Sequence, residues 1–257
     1  MKSKSEESVE YRLSHTAEGK GVSYHESFDN YPYRRYMWIW EKKQLHELIR
    51  PHLVKKNSIL DFACGTGRIL AELTKMSDNV VGVDVSESML SVARERVSNS
   101  EILNMDITRD NFLEVNRRFQ VIVAFRFFLN AQNSLRKEAF NALNPLLEDD
   151  GVLIFNNHGN SSHLGLIMQR SIMKFKNFIW PKKNYFIPKK LSKSQIEELL
   201  DESGFKITHC VHRNVWPIMS EKRKKDVAKF EKIENWFSEK NFFEKLSRNV
   251  IYVCEKK

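Results

Sequence analysis

The stretch Ile59-Leu-Asp-Phe-Ala-Cys-Gly-Thr-Gly-Arg-Ile-Leu70 decides the fold. A short apolar run ends in Asp61, a tight turn carries Gly65 and Gly67, and a helical pattern opens at about Gly67. A strand that passes through a glycine turn into a helix lets a ligand approach the backbone closely. A second acid, Asp84, ends the next apolar run, Val80-Val-Gly-Val83. That spacing puts a carboxylate where a ribose sits in nucleoside-binding α/β folds.

A dinucleotide site is the obvious rival. Its G-x-G-x-x-G pattern needs a third small residue so that helix and strand pack around a pyrophosphate. Counted from Gly65 and Gly67 the third place is Leu70; counted from Ala63 and Gly65 it is Arg68. Both frames fail. A strand–helix turn that binds nothing is the plainer alternative, and the residues that follow argue against it.

Working outward, apolar runs and helical patterns alternate. Strands are expected at 58–61, 79–84, 101–105, 119–125 and 152–157. Helices are expected at 36–53, 67–76, 86–97 (with Ser86 as N-cap) and 134–147, with a turn at Asp149-Asp150-Gly151. This rhythm predicts right-handed βαβ units, a mostly parallel sheet and helices on both faces. After residue 157 the rhythm breaks. A helix is expected at 161–178, then an irregular stretch from Trp180 to Pro188. A capping box at Ser192-Lys-Ser-Gln195 opens another helix, which Gly204 closes. A strand at 205–213, an amphipathic helix at 222–246 and a final strand at 249–254 complete the chain.

The run Asp61-Phe-Ala-Cys-Gly-Thr-Gly67 resembles the first motif of class I S-adenosylmethionine-dependent methyltransferases, with Ala63 where a glycine is common. The resemblance covers the chain from about Tyr24 onward. It implies a Rossmann-like, seven-stranded, mostly parallel sheet whose last strand is reversed, with S-adenosylmethionine as cofactor and S-adenosylhomocysteine as product. It also implies roles. Asp61, Ala63, Cys64, Gly65 and Gly67 would form the loop facing the methionine part. Asp84, beside Val85, would accept from both ribose hydroxyls, since a carboxylate has two acceptor oxygens. Met89 would pack near the adenine, and Asp106, beside Ile107, would accept from the adenine amino group. Asp is depleted in strands, so an acid ending each of the first three is a specific arrangement, although Asp106 also reads as a cap before Thr108. Phe125 and Arg126 would border the cofactor methionine or the acceptor, while Phe127 and Phe128 read as core. The aromatic segment from Tyr24 to Trp38 reads either as a lid, with Tyr24, Tyr33 and Tyr36 over the site, or as rings packing a helix onto the sheet.

His158, just past the fifth strand, sits at the sheet edge where ligands bind in open α/β folds. It reads as a proton acceptor for the methyl-receiving group, or else as a loop histidine bonded to backbone. Methyl transfer from a sulfonium needs alignment above all, so a base is optional. The Asn/Asp-Pro-Pro-Tyr motif of amino-nucleobase methyltransferases and the Pro-Cys of cytosine C5 enzymes are absent.

The 257 residues, 41% of them apolar, allow one large α/β domain with additions. Residues 1–23 are read as a flexible N-terminus and 24–257 as one domain. Within it, 24–57 is a lid or helix, 58–160 the cofactor-binding core, and 161–257 lid insertions and C-terminal strands. No apolar run reaches the roughly 18 residues that span a bilayer, and the start lacks an apolar leader. Three cysteines, at 64, 210 and 254, show no metal-site spacing and fit a reducing cytoplasm. Charge is uneven. Residues 1–169 hold 21 Lys+Arg against 22 Asp+Glu, and residues 170–257 hold 21 against 11. The basic third suits an anionic acceptor or surface, or is simply a solvated lysine-rich face.

The expectation is methyl transfer to an O or N atom of a small-molecule, sugar or lipid-linked acceptor. An RNA methyltransferase is the second reading, suggested by the basic third but without an RNA-binding module. A methyltransferase-like subunit that binds a partner and has lost catalysis is the third. The acceptor's identity and the oligomeric state are not written in these motifs.

Overall fold

A computed structural model describes residues 11, 32–53, 57–110, 117–180, 191–214 and 231–257. Seven strands form one sheet: β1 (Ser58–Phe62), β2 (Asn79–Asp84), β3 (Glu101–Asn104), β4 (Phe119–Ala124), β5 (Leu147–Asn157), β6 (Phe205–Arg213) and β7 (Asn249–Lys256). Their order is β3-β2-β1-β4-β5-β7-β6. The strands from β3 to β5 pair in parallel, whereas β7 runs antiparallel to both β5 and β6. The sheet is therefore Rossmann-like with one reversed strand, as expected.

The described helices are α1 (Pro32–Ile49), α2 (Leu70–Leu73), α3 (Glu87–Arg96), α4 (Asn133–Leu143), α5 (Leu164–Ile179), α6 (Lys193–Glu202) and α7 (Glu231–Ser238). They cover both faces, and strand alternation shows it. In β1 and β4, Leu60, Phe62, Ile122 and Ala124 pack with residues of α4 and α6. Ile59, Val121 and Val123 pack with Leu45 and Ile49 of α1 and with Leu70 and Leu73 of α2. Such central strands are buried on both sides, which is why they read as continuous apolar runs. One face carries an aromatic stack. Phe128 lies on Phe140 with ring centroids 4.0 Å apart, and Phe155 meets both edge-on. Cutting such a ring to alanine typically costs about 3–5 kcal/mol.

Several element bounds differ from expectation for local reasons. The helix expected at 67–76 is regular only over α2. Gly67 is left-handed (φ +71°) and cannot be helical, and at the far end the turns tighten to i→i−3 bonds, Lys75 N to Glu72 O and Met76 N to Leu73 O. The turn at 149–151 is a bulge inside β5, whose register jumps between Phe119↔Leu147 and Val121↔Val152. The expected helix 222–246 begins outside the described residues. Its described part breaks after α7, at Lys240 (φ −106°, ψ 107°), and resumes as a 3-10 turn, Asn241–Leu246. There Phe237 and Phe243 rings meet at 4.8 Å, far closer than the ~9 Å that six residues of unbroken helix would impose. The Ser192–Gln195 capping box forms, and Ser86 caps α3 by accepting from Met89 N at 3.4 Å.

Candidate functional site

A cleft opens at the carboxyl ends of β1, β2, β3 and β4, the edge where open α/β sheets hold ligands. Its wall on the β1 side is Phe62, Ala63 and Gly65. Ala63 adopts φ +57° and Gly65 φ +55°, so the loop curls back over the strand end. A Cβ placed on Gly65 would meet nothing within 4 Å; the loop faces open space there.

Asp84 ends β2 and lies at the cleft wall with Val85, Ser86 and Met89. Its Oδ2 accepts from Gly65 N and its Oδ1 from Ser86 N, both at 2.9 Å. The Val85 amide also bonds this carboxylate, and since a carboxylate offers about four lone-pair positions, some acceptor capacity remains for a ligand hydroxyl. Burial pushes the Asp84 carboxyl above the ordinary carboxylate range, and the Ser86 and Gly65 amides partly offset this. Asp61 lies beneath, 1% exposed. Burial, reinforced by the Asp84 charge, holds it well above that range. Its Oδ2 has no hydrogen-bond partner among the described residues.

Past β3, Met105, Asp106, Ile107 and Thr108 close the far side. Asp106 both lines the cleft and caps its own turn, with Oδ1 accepting from Thr108 N at 3.0 Å and Thr108 Oγ1 at 2.6 Å. The segment after β4 contributes Phe125, Arg126 and Phe127. Arg126 is left-handed (φ +64°), and its N–H donates to Asn156 Oδ1 at 2.7 Å. Buried Arg136 of α4 holds the following turn by donating to the carbonyls of Phe128 and Leu129 at 2.5 and 3.0 Å.

The structure thus gathers Ala63, Gly65, Asp84, Val85, Met89, Asp106, Ile107, Phe125 and Arg126 around one cleft. It does not bring the remaining candidates into the lining. Asp61 lies under the loop. Cys64 is buried, with its N–H on Val83 O at 3.0 Å. Gly67 faces α3, where a Cβ would stand 3.0 Å from Ala93 Cβ, so it serves close packing. Tyr36 accepts from Arg213 Nη2 at 2.5 Å and Nε at 3.1 Å, and Tyr33 OH accepts from Asn214 and Asn249 at 2.8 and 3.1 Å. Both tyrosines tie α1 to β6 and β7. His158 follows β5 immediately, outside the lining, two residues beyond the Asn156 that receives Arg126 N–H. Tyr24 lies outside the described residues.

Two contributors escaped the sequence reading. Tyr11, from the segment expected to be loose, lines the cleft and meets Phe127 edge-on at 5.6 Å; nothing in its surroundings signals this. Glu41, 1% exposed, accepts from Arg126 Nη2 at 3.0 and 3.2 Å and from Asn156 Nδ2 at 3.3 Å, and lies 3.6 Å from Arg68 Nη1. The Trp38 ring lies under Arg68 at 4.1 Å. Glu41 was detectable: it falls on the four-residue spacing of Met37, Leu45 and Ile49, all buried, so a charge stands in the apolar stripe of α1.

Among the described residues no group of three or more His, Cys, Asp or Glu could hold a metal, and no helix is long and apolar enough to cross a membrane.

Residues 59–151 match the family model described as a methyltransferase domain. The Bacillus subtilis protein YqeM, a methyltransferase by its name, is 33% identical over 115 residues, 44% of this chain and 47% of that protein. A dTDP-3-amino-3,4,6-trideoxy-alpha-D-glucopyranose N,N-dimethyltransferase of Streptomyces venezuelae is 33% identical over 84 residues, 33% of this chain and 34% of that enzyme. The chain thus spans about half, or less, of the length of these curated relatives. A crystal structure of a SAM-dependent methyltransferase from Thermotoga maritima matches with a TM-score of 0.58 at 17% identity, covering 92% of this chain and 95% of that one; this likeness speaks for the fold. Sheet order and loop motif agree with this likeness of residues 59–151 to a methyltransferase domain.

Proposed function

We propose that the chain transfers a methyl group from S-adenosylmethionine to an O or N atom of a small acceptor, a sugar or lipid-linked molecule being the best fit. The observation that carries this is the cleft itself, with Asp84, the left-handed Ala63–Gly65 loop, Asp106 and Arg126 around one space. Residues from about 24 onward would act as one domain, with 58–160 as its cofactor-binding core. Asp84 would hold the ribose diol and Asp106 the adenine edge. Met89 and Ile107 would pack the base, and Arg126 would meet the methionine carboxylate. When bound, the cofactor supplies an already activated methyl group, so the chain's task is to orient the acceptor and exclude water. His158, beside the Arg126 end, is the group we place near the acceptor's proton. The sugar N,N-dimethyltransferase relative favours an amine-bearing sugar as the first acceptor class to test.

Calorimetry with S-adenosylmethionine and Asp84→Ala tests the reading. Loss of two hydrogen bonds to a charged acceptor should weaken binding by roughly 1.5–3 kcal/mol per bond at most. Unchanged affinity, or a wild type that prefers NAD, refutes it. Incubation with methyl-labelled cofactor and cell extract, followed by separation of RNA, protein, lipid and small molecules, identifies the acceptor class. Label in RNA would promote the nucleic-acid reading. In the same assay His158→Ala should lower turnover roughly 10²-fold without changing cofactor affinity; near-normal turnover would leave alignment as the whole device.

A further inference from the structure

Helix α5 wears its apolar residues on the outside. Ile167, Met168, Ile172, Phe175, Phe178 and Ile179 are all exposed, Phe175 to 64% and Phe178 to 83%. At about 100° per residue they fall within one arc of roughly 140°. The opposite side holds Leu166, buried against the protein, and half-buried Met173. Lys174 borders the outward arc on one edge and Lys176 on the other, and exposed Trp180 follows the helix end. A surface helix ordinarily turns such an arc to the core.

The surrounding charge says what could cover it. Helix α5 itself carries Arg170, Lys174 and Lys176 and no acid. A second copy seated on this face would bring two all-cationic segments together, an unfavourable pairing. RNA would meet the cations and could stack bases on Phe175, Phe178 and Trp180, but Ile167, Met168, Ile172 and Ile179 make most of the arc aliphatic, a surface that does not stack bases. An outward apolar arc edged by lysines, without acids, has the chemistry of a helix lying at an anionic lipid interface. Lysine stems extend along the apolar boundary while their ammonium groups reach phosphate.

We propose that α5 docks the protein onto an anionic lipid surface, with the Phe175–Phe178 arc at the headgroup boundary and Lys174 and Lys176 on lipid phosphates. The helix has 16 residues and lies along such a surface without crossing it. This inference stands independently of the methyl acceptor.

Flotation of the full chain tests it, using vesicles of phosphatidylcholine alone and vesicles with about one-third phosphatidylglycerol. The wild type should float with the anionic vesicles at low salt, much less at high salt, and little with neutral ones. A Phe175→Glu/Phe178→Glu variant should lose binding by roughly tenfold or more, and Lys174→Glu/Lys176→Glu should abolish the preference for anionic lipid. Both variants should keep the wild-type melting temperature. The proposal is overturned by a wild type that does not float, or by a phenylalanine variant that floats equally well. A clear drop in that variant's melting temperature would show the face to be buried within its own chain. A wild-type dimer lost in the variant would assign the face to a second copy, and retention of RNA without flotation would assign it to nucleic acid.

Discussion

Ala63 is at odds with its own conformation. A left-handed alanine costs roughly 1–2 kcal/mol, and φ +57° is imposed by the loop that delivers Gly65 N–H to Asp84. Ala63→Gly should release that strain and lose part of the gain to unfolded-chain entropy. The expected net is a stabilisation of about 0.5–1 kcal/mol, read as a higher midpoint in denaturant unfolding with an unchanged slope. Asp61 predicts a pH effect. Burial and the Asp84 charge hold its folded-state value above the unfolded one near 4. The stability carried by its proton is therefore complete below about pH 4 and is lost as pH rises through the raised value. Asp61→Asn keeps the shape and removes the titration, so thermal melts from acid to neutral pH should show the variant gaining on the wild type as pH rises. The acids and the glycine loop were legible because polar and glycine residues at strand ends break apolar runs. The buried Cys64 and close-packed Gly67 were read as ligand contacts because a motif records adjacency in the chain and not the direction a group faces.

At the scale of elements, α1 is more than a cover for the sheet. Glu41 neutralises Arg126 and Arg68 where water hardly reaches, and it holds the left-handed Arg126 from outside the cleft lining. Removing one partner of such a buried pair typically costs about 3–5 kcal/mol. Arg126 keeps 18% side-chain exposure, so the lower figure applies. Glu41→Ala should lower stability by about 3 kcal/mol in denaturant titration, with Glu41→Gln losing clearly less. Calorimetry should show weaker cofactor binding for the alanine variant if Arg126 serves the cofactor. The start of α1 was missed by four residues, since Pro32 suits a first helical turn but the apolar spacing begins later. The break at Lys240 escaped notice for a different reason: amphipathic spacing alone cannot register the ring contacts between Phe237 and Phe243 that fold the segment back.

For the whole molecule, the alternation of strands and helices was enough to foresee a parallel sheet, while the reversed last strand came from the family resemblance of the loop motif. The position of β7 between β5 and β6 needed tertiary information, because the chain builds β6 first and fills the gap afterwards. That order of assembly bears on how α1 is held. Its polar anchors lie far along the chain: Glu41 bonds Arg126 and Asn156, and Tyr33 bonds Asn214 and Asn249. Contacts across such separations form late, after closer pairings have reduced the loop cost. Pulse-labelled hydrogen exchange during refolding should protect the β1–β4 amides first and those of α1 together with β7; early, independent protection of α1 would contradict this. On a ribosome, then, α1 would be made well before the elements that hold it and would settle only once β7 has emerged.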